Sequence, residues 1–266
     1  MSDKTPLAGG VFTAMNNELF RGARLKIERA NKHIRDLGQL TNGLNQIRSH
    51  AIRVETNPDT GYDSLQFLPA KPIPGEFMCI VGDALHNLRT ALDFVANDIE
   101  FANTGKRSNN TKFPVRDTRD ELVTAMNGGF IHKAPKEIVD FIVDVIQPYE
   151  TGDGKSIWAL HALDIEDKHR LLIPHLQFQW VRHIRYKDET GTEFEFPEWA
   201  ATGEHIPKFS TGRKKVEVTD QGHATIGIVF AHGLPLSGKH IVPTLRNLAV
   251  FLYRTIDSIE RRFFGP

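Results

Sequence analysis

The chain has 266 residues, with 33 Lys and Arg set against 33 Asp and Glu. That balance excludes a chain-wide basic field for nucleic acid or anionic membranes, and 40% hydrophobic with 25% charged residues excludes a disordered chain. The single cysteine, Cys79, excludes an internal disulfide framework and a Cys-rich zinc site.

Residues Met1 to Gly10 are polar, with Pro6 and two glycines, and lack the apolar run of a secretory signal. No apolar stretch approaches the roughly 20 residues needed to cross a bilayer, so the expectation is a cytoplasmic protein without membrane contact. From Asn16 to about Ser49, Leu19, Ala23, Ile27, Ala30, Ile34, Leu37, Leu40 and Leu44 recur every three or four positions and predict one long helix. Ile52 and Val54, then Leu65 and Phe67, flank Asn57-Pro58-Asp59-Thr60-Gly61 and predict a small hairpin.

Helices are predicted from about Gly75 to Ala102, Thr118 to Met126, Pro135 to Ile146 and Ser156 to Leu172, the last with Ser156 as its cap. The period then changes to two. Leu176, Phe178, Trp180, Ile184 and Tyr186 predict one continuous strand, and Asp188-Glu189-Thr190-Gly191 turns it onto Phe194 and Phe196. Val216 and Val218, then Ile226, Ile228 and Phe230, predict a second hairpin around Asp220-Gln221-Gly222, with 197–212 as a loop between the two. A final helix is predicted over 242–264.

The expected fold is α+β: a helical bundle with an antiparallel sheet inserted before the C-terminal helix. A single domain is expected over 1–266. It is mainly helical over 16–172 with the hairpin at 52–67, carries the sheet at 173–232, and ends with the last helix returning to the bundle.

Two helices carry the candidate chemistry. On the helix after Pro74, Asp83, His86, Asn87, Thr90, Asp93 and Asn97 fall within an arc of roughly 120°. Phe77, Val81, Ala84, Leu85, Leu88, Leu92, Val95 and Ile99 take the other side. Solvated faces favour Lys, Glu and Arg; short hydrogen-bonding residues suit a face packed on other polar groups. On the later helix, His161, Asp164 and Lys168 share a side, with Asp164 and Lys168 spaced as an i,i+4 pair. His169 shares the side of Trp158, Ala162 and Ile165 and is expected among apolar groups. Asp167 shares a side with Leu160 and Leu163. Two readings stay open: a buried ion-pair network in which Asp167 finds Arg89 or another cation, or a site at a bundle seam where burial tunes a histidine.

His86-Asn87-Leu88-Arg89 followed by Ala91-Leu92-Asp93, then Gln147-Pro148-Tyr149, then Asp167-Lys168-His169-Arg170 resemble the signature of a family of bacterial and phage proteins over Pro74 to Leu172. That resemblance implies no activity. A looser one is to HEPN-type helical domains, often dimeric metal-independent RNases with an Arg and a His four to six residues apart. Arg170-Leu171-Leu172-Ile173-Pro174-His175 has that spacing, although Pro174 ends the helix before His175. His86-Asn87-Leu88-Arg89 carries the residue types in reverse order.

Three function classes follow. A binding or regulatory module would keep Asp83, Asn87, Asp93, Asp164, Asp167 and Lys168 as a polar seam of internal scaffolding. It would form a homodimer or partner interface through the apolar sheet face and the long first helix, a reading that exposed aromatics among Phe178, Trp180, Phe194, Phe196 and Trp199 would favour. An RNase would use His86 with His161 or His169 as base and acid, and Arg89 or Arg170 on the phosphate, though the neutral charge lends nucleic acid no support. A metal-dependent hydrolase would draw ligands from Asp83, His86, His161 and Asp164, but no His-x-x-x-His pair and no His-Glu-x-x-His motif is present, and no metal or other cofactor is assigned. No P-loop and no Gly-x-Ser-x-Gly elbow occurs. Cys79, between Met78 and Ile80, is expected in the core.

Overall fold

The computed structural model describes residues 19–46, 50–128, 134–172, 174–200 and 208–265. The fold is α+β, as the change of period predicts. Among the described residues the helices are α1 (Arg21–Gln46), α2 (Gly75–Thr104), α3 (Arg119–Asn127), α4 (Lys136–Phe141), α5 (Lys155–His169) and α6 (Ile241–Phe263), with two short strands between α1 and α2 and seven between α5 and α6. No described helix is long and apolar enough to cross a membrane.

The chain divides into two compact units. One contains residues 1–34, 81–171 and 243–266; the other contains 35–80 and 172–242. In the first, the predicted stripes are the buried ones: Ala23, Ile27, Ala30 and Ile34 on α1, Leu85, Leu88, Leu92 and Ile99 on α2, Leu245, Leu252 and Ile256 on α6. α3 starts where the sequence provides a capping box, Thr118 with Glu121. α4 passes into one π-helical turn, Ile142–Ile146, which Gln147 ends in the left-handed conformation (φ 54°). α5 begins at Lys155 behind Gly154, so Ser156 is not its cap. A Cβ at Gly154 would overlap the Ile146 carbonyl, so packing rather than side-chain capping fixes that start.

In the second unit, β1 (His50–Thr56) and β2 (Asp63–Pro69) form the predicted hairpin, and β7 (Lys208–Ser210) joins β2. The predicted strand from Leu176 to Tyr186 is two strands, β3 (His175–Arg182) and β4 (Arg185–Lys187). Between them His183 is left-handed, at φ 59°, and no alternation of apolar residues encodes that turn. β3 lies between β6 (Trp199–Ala200) and β9 (His223–Val229); β4 lies between β5 (Glu193–Glu195) and β8 (Glu217–Asp220). The predicted β8–β9 hairpin is therefore split between two sheets, and part of the predicted 197–212 loop is strand; residues 201–207 of it lie outside the described residues. Among the described residues all pairings are antiparallel, in three three-stranded sheets around Leu65, Phe67, Phe178, Val181, Ile184 and Ile226. Asp63, 2% exposed, ties this unit together. Its carboxylate accepts the Val216 N–H at 2.7 Å and the Thr56 hydroxyl at 2.6 Å.

Candidate functional site

The polar arc of α2 faces α5 and the 111–117 segment, and there it becomes a hydrogen-bonded seam. Arg89 is its centre, because its long stem reaches past the arc while its guanidinium offers donors in three directions. Nε–H donates to His161 Nδ1 at 3.0 Å, one terminal nitrogen to Asp93 at 2.6 Å, and the other to the Phe113 carbonyl at 3.0 Å. The same Asp93 oxygen accepts the Phe113 N–H at 2.9 Å, and Lys112 stands 3.4 Å from its other oxygen. The Arg89 side chain is 7% exposed.

That geometry fixes the state of His161. Guanidinium N–H can only donate, so Nδ1 accepts and the ring proton sits on Nε2. Burial, and then the adjacent Arg89 charge, hold the His161 pKa down to about 4 against the opposing pull of Asp164 and Asp93. His161 is thus uncharged at neutral pH.

His86 forms a second group. Its Nδ1 lies 3.0 Å from Asp164 Oδ1, and Lys168 Nζ lies 2.5 Å from Oδ2. A carboxylate accepts only, so His86 Nδ1–H donates and Nε2 keeps its lone pair, with the Thr90 hydroxyl 3.4 Å away. Asp164 is buried while the His86 side chain is 56% exposed.

The predicted residues divide accordingly. Arg89, Asp93 and His161 come together, as do His86, Asp164 and Lys168. Asp83 is exposed, and Asn87 spends its amide on the Asp83 carbonyl of its own helix. His169 and Arg170 are exposed at the end of α5, so the expectation of an apolar setting for His169 is wrong. The side of α5 bearing Trp158, Ala162 and Ile165 is not covered by the core. It forms part of an open groove of about 800 Å³, whose other wall includes Asp117, Asp120 and Glu121 and whose floor includes His161. Cys79 is exposed as well, since it lies on the opposite side of α2 from Phe77, Val81 and Leu88.

Three participants went unforeseen. Phe113 contributes through its backbone and Lys112 through a charge, and neither sits in a periodic pattern. Gly82 makes room for the Asp167 carboxylate, which a Cβ there would overlap. A glycine inside a predicted helix is the signal that could have marked this close contact. Among the described residues, no group of three or more His, Cys, Asp or Glu is placed to hold a metal ion. Comparison with known proteins returned no matching family model, no matching curated protein and no matching solved structure.

Proposed function

We propose that the protein is a binding module whose polar seam is internal scaffolding for the groove between α3 and α5. The observation that carries this reading is the enclosure of Arg89. Each nitrogen of its guanidinium donates to an internal acceptor and the side chain is only 7% exposed, so it presents little of its charge to a phosphate. His161 is likewise spent, with Nδ1 occupied and its charge suppressed, so it is a poor partner for acid–base transfer near neutrality.

One observation favours a second reading, a metal-independent RNase. An exposed imidazole backed by a buried carboxylate is the arrangement of a general base, and His86 with Asp164 has it. In that case Lys168, rather than Arg89, would meet the phosphate.

The two readings part in one assay. A mixed labelled RNA pool is incubated in excess EDTA with the parent and with His86→Ala, each checked for fold. The binding module leaves the RNA intact in both. Cleavage by the parent and none by His86→Ala would overturn that reading in favour of the second. His86→Ala itself should cost only about 1 kcal/mol in urea denaturation, the value of one hydrogen bond lost to Asp164, which keeps Lys168.

A further inference from the structure

We propose that the groove between α3 and α5 docks a cationic segment of another protein, in which Lys or Arg side chains alternate with aliphatic ones. The inference rests on the binding-module reading and names the partner of that groove.

The floor is apolar where a solvated helix face would not be. Trp158, Ala162 and Ile165 lie one helical turn apart on the same side of α5, and Ile165 is 44% exposed. Single exposed apolar residues are ordinary, but a concave row of them is a surface for another apolar group.

The wall is acidic. Asp117, Asp120 and Glu121 line it, and Arg116 is the cation beside them. Arg119, the next basic residue, is held by Asp144 at 2.6 Å. Acidic residues in the first turn of α3 complement the helix dipole, which accounts for Asp120 and Glu121. It does not account for Asp117, which precedes the cap and is fixed in the groove by the Trp158 indole N–H at 2.8 Å. His161 adds a polar edge to the floor without adding positive charge. Carboxylates above an aromatic and aliphatic floor complement an ammonium or guanidinium whose stem lies on the ring, and they repel a phosphate chain.

The test uses the full chain and three labelled probes: a short peptide alternating leucine and lysine, its leucine–glutamate counterpart, and a single-stranded RNA of similar length. Fluorescence anisotropy at low salt should show the lysine peptide binding at least about tenfold more tightly than the other two, with the preference shrinking as salt rises. Asp120→Lys should weaken the lysine peptide roughly threefold to tenfold. Asp59→Lys, the same change of charge on the exposed β1–β2 turn, should leave it unchanged. Ile165→Lys tests the floor independently and should weaken binding by a similar factor. Equal loss in Asp120→Lys and Asp59→Lys would overturn the proposal, because net charge and not the groove would then hold the peptide. So would no preference for the lysine peptide, or tighter binding of the RNA. RNA left intact with no peptide preference removes this partner alone; RNA cleaved through His86 removes the binding-module reading itself.

Discussion

Arg89→Met is the sharpest probe of the seam, because it keeps much of the buried stem and deletes every donor. Three acceptors lose a partner: His161 Nδ1, Asp93 Oδ1 and the Phe113 carbonyl. The two neutral acceptors cost roughly 1 kcal/mol each and the carboxylate roughly 2, or about 4 kcal/mol together. The independent expectation for breaking a buried ion pair by removing one partner is about 3–5 kcal/mol. The two agree, and the Arg89 and Asp93 side chains, 7% and 19% exposed, leave little room for water to compensate. Lys112 is the nearest relief for Asp93, but it stands 3.4 Å away on a side chain 57% exposed, and such a contact offsets little. At roughly 2–4 °C per kcal/mol for a chain of this size, Tm should fall by about 8–16 °C. Urea denaturation of the parent, Arg89→Met, Asp93→Asn and the double variant measures both the loss and the coupling. The coupling should exceed about 1 kcal/mol. A loss below about 1 kcal/mol, or strict additivity with Asp93→Asn, would refute the view of Arg89 as the centre of the seam.

Other outcomes follow from the same contacts. His161 titrates at about 4 when folded and near its ordinary 6.5 when unfolded, so the unfolded chain binds the extra proton between those values. Stability should therefore rise with pH across that window. Its partly exposed ring discounts the contribution to about 1–2 kcal/mol, and urea titrations of His161→Gln from pH 4 to 7 should show a flatter slope than the parent. Gly82→Ala should cost about 1 kcal/mol by pushing the Asp167 carboxylate out of its place; in combination with Asp167→Ala the loss should be less than additive, and full additivity in denaturant melts would count against the close contact. Asp63→Ala removes the acceptor of the Val216 N–H and the Thr56 hydroxyl, so it should cost about 2–4 kcal/mol. Hydrogen exchange should then show Val216 losing protection first.

Apolar period was enough to place α1, α2 and α6. The stripes on α1, α2 and α6 are buried because a helix with one apolar face can hide it in only one way. The hairpin of β1 and β2 was legible for a similar reason, with a turn sequence between two alternating runs. The polar arc of α2 was legible in part: short hydrogen-bonding residues there implied packed polar neighbours, and His86 and Asp93 have them, whereas Asp83 is exposed and Asn87 bonds its own helix. Periodicity says which residues share a face, not what that face meets. His169 was expected among apolar groups because it shares a side with Trp158 and Ile165, yet that side borders an open groove. The break at His183, which sends β3 and β4 into different sheets, depends on one backbone dihedral that no pattern of apolar residues specifies.

The sequence by itself determined the helices, the buried faces of α1, α2 and α6 and the polar character of the seam, because these depend on spacing along one chain segment. Only the tertiary structure decided the pairings. Asp164 received His86 as well as Lys168, Arg89 took Asp93, His161 and the Phe113 carbonyl, and Gly82 received Asp167. Each of these contacts except the two i,i+4 pairs joins groups far apart in the chain. Their partners are set by which elements pack together, and local sequence carries no record of that.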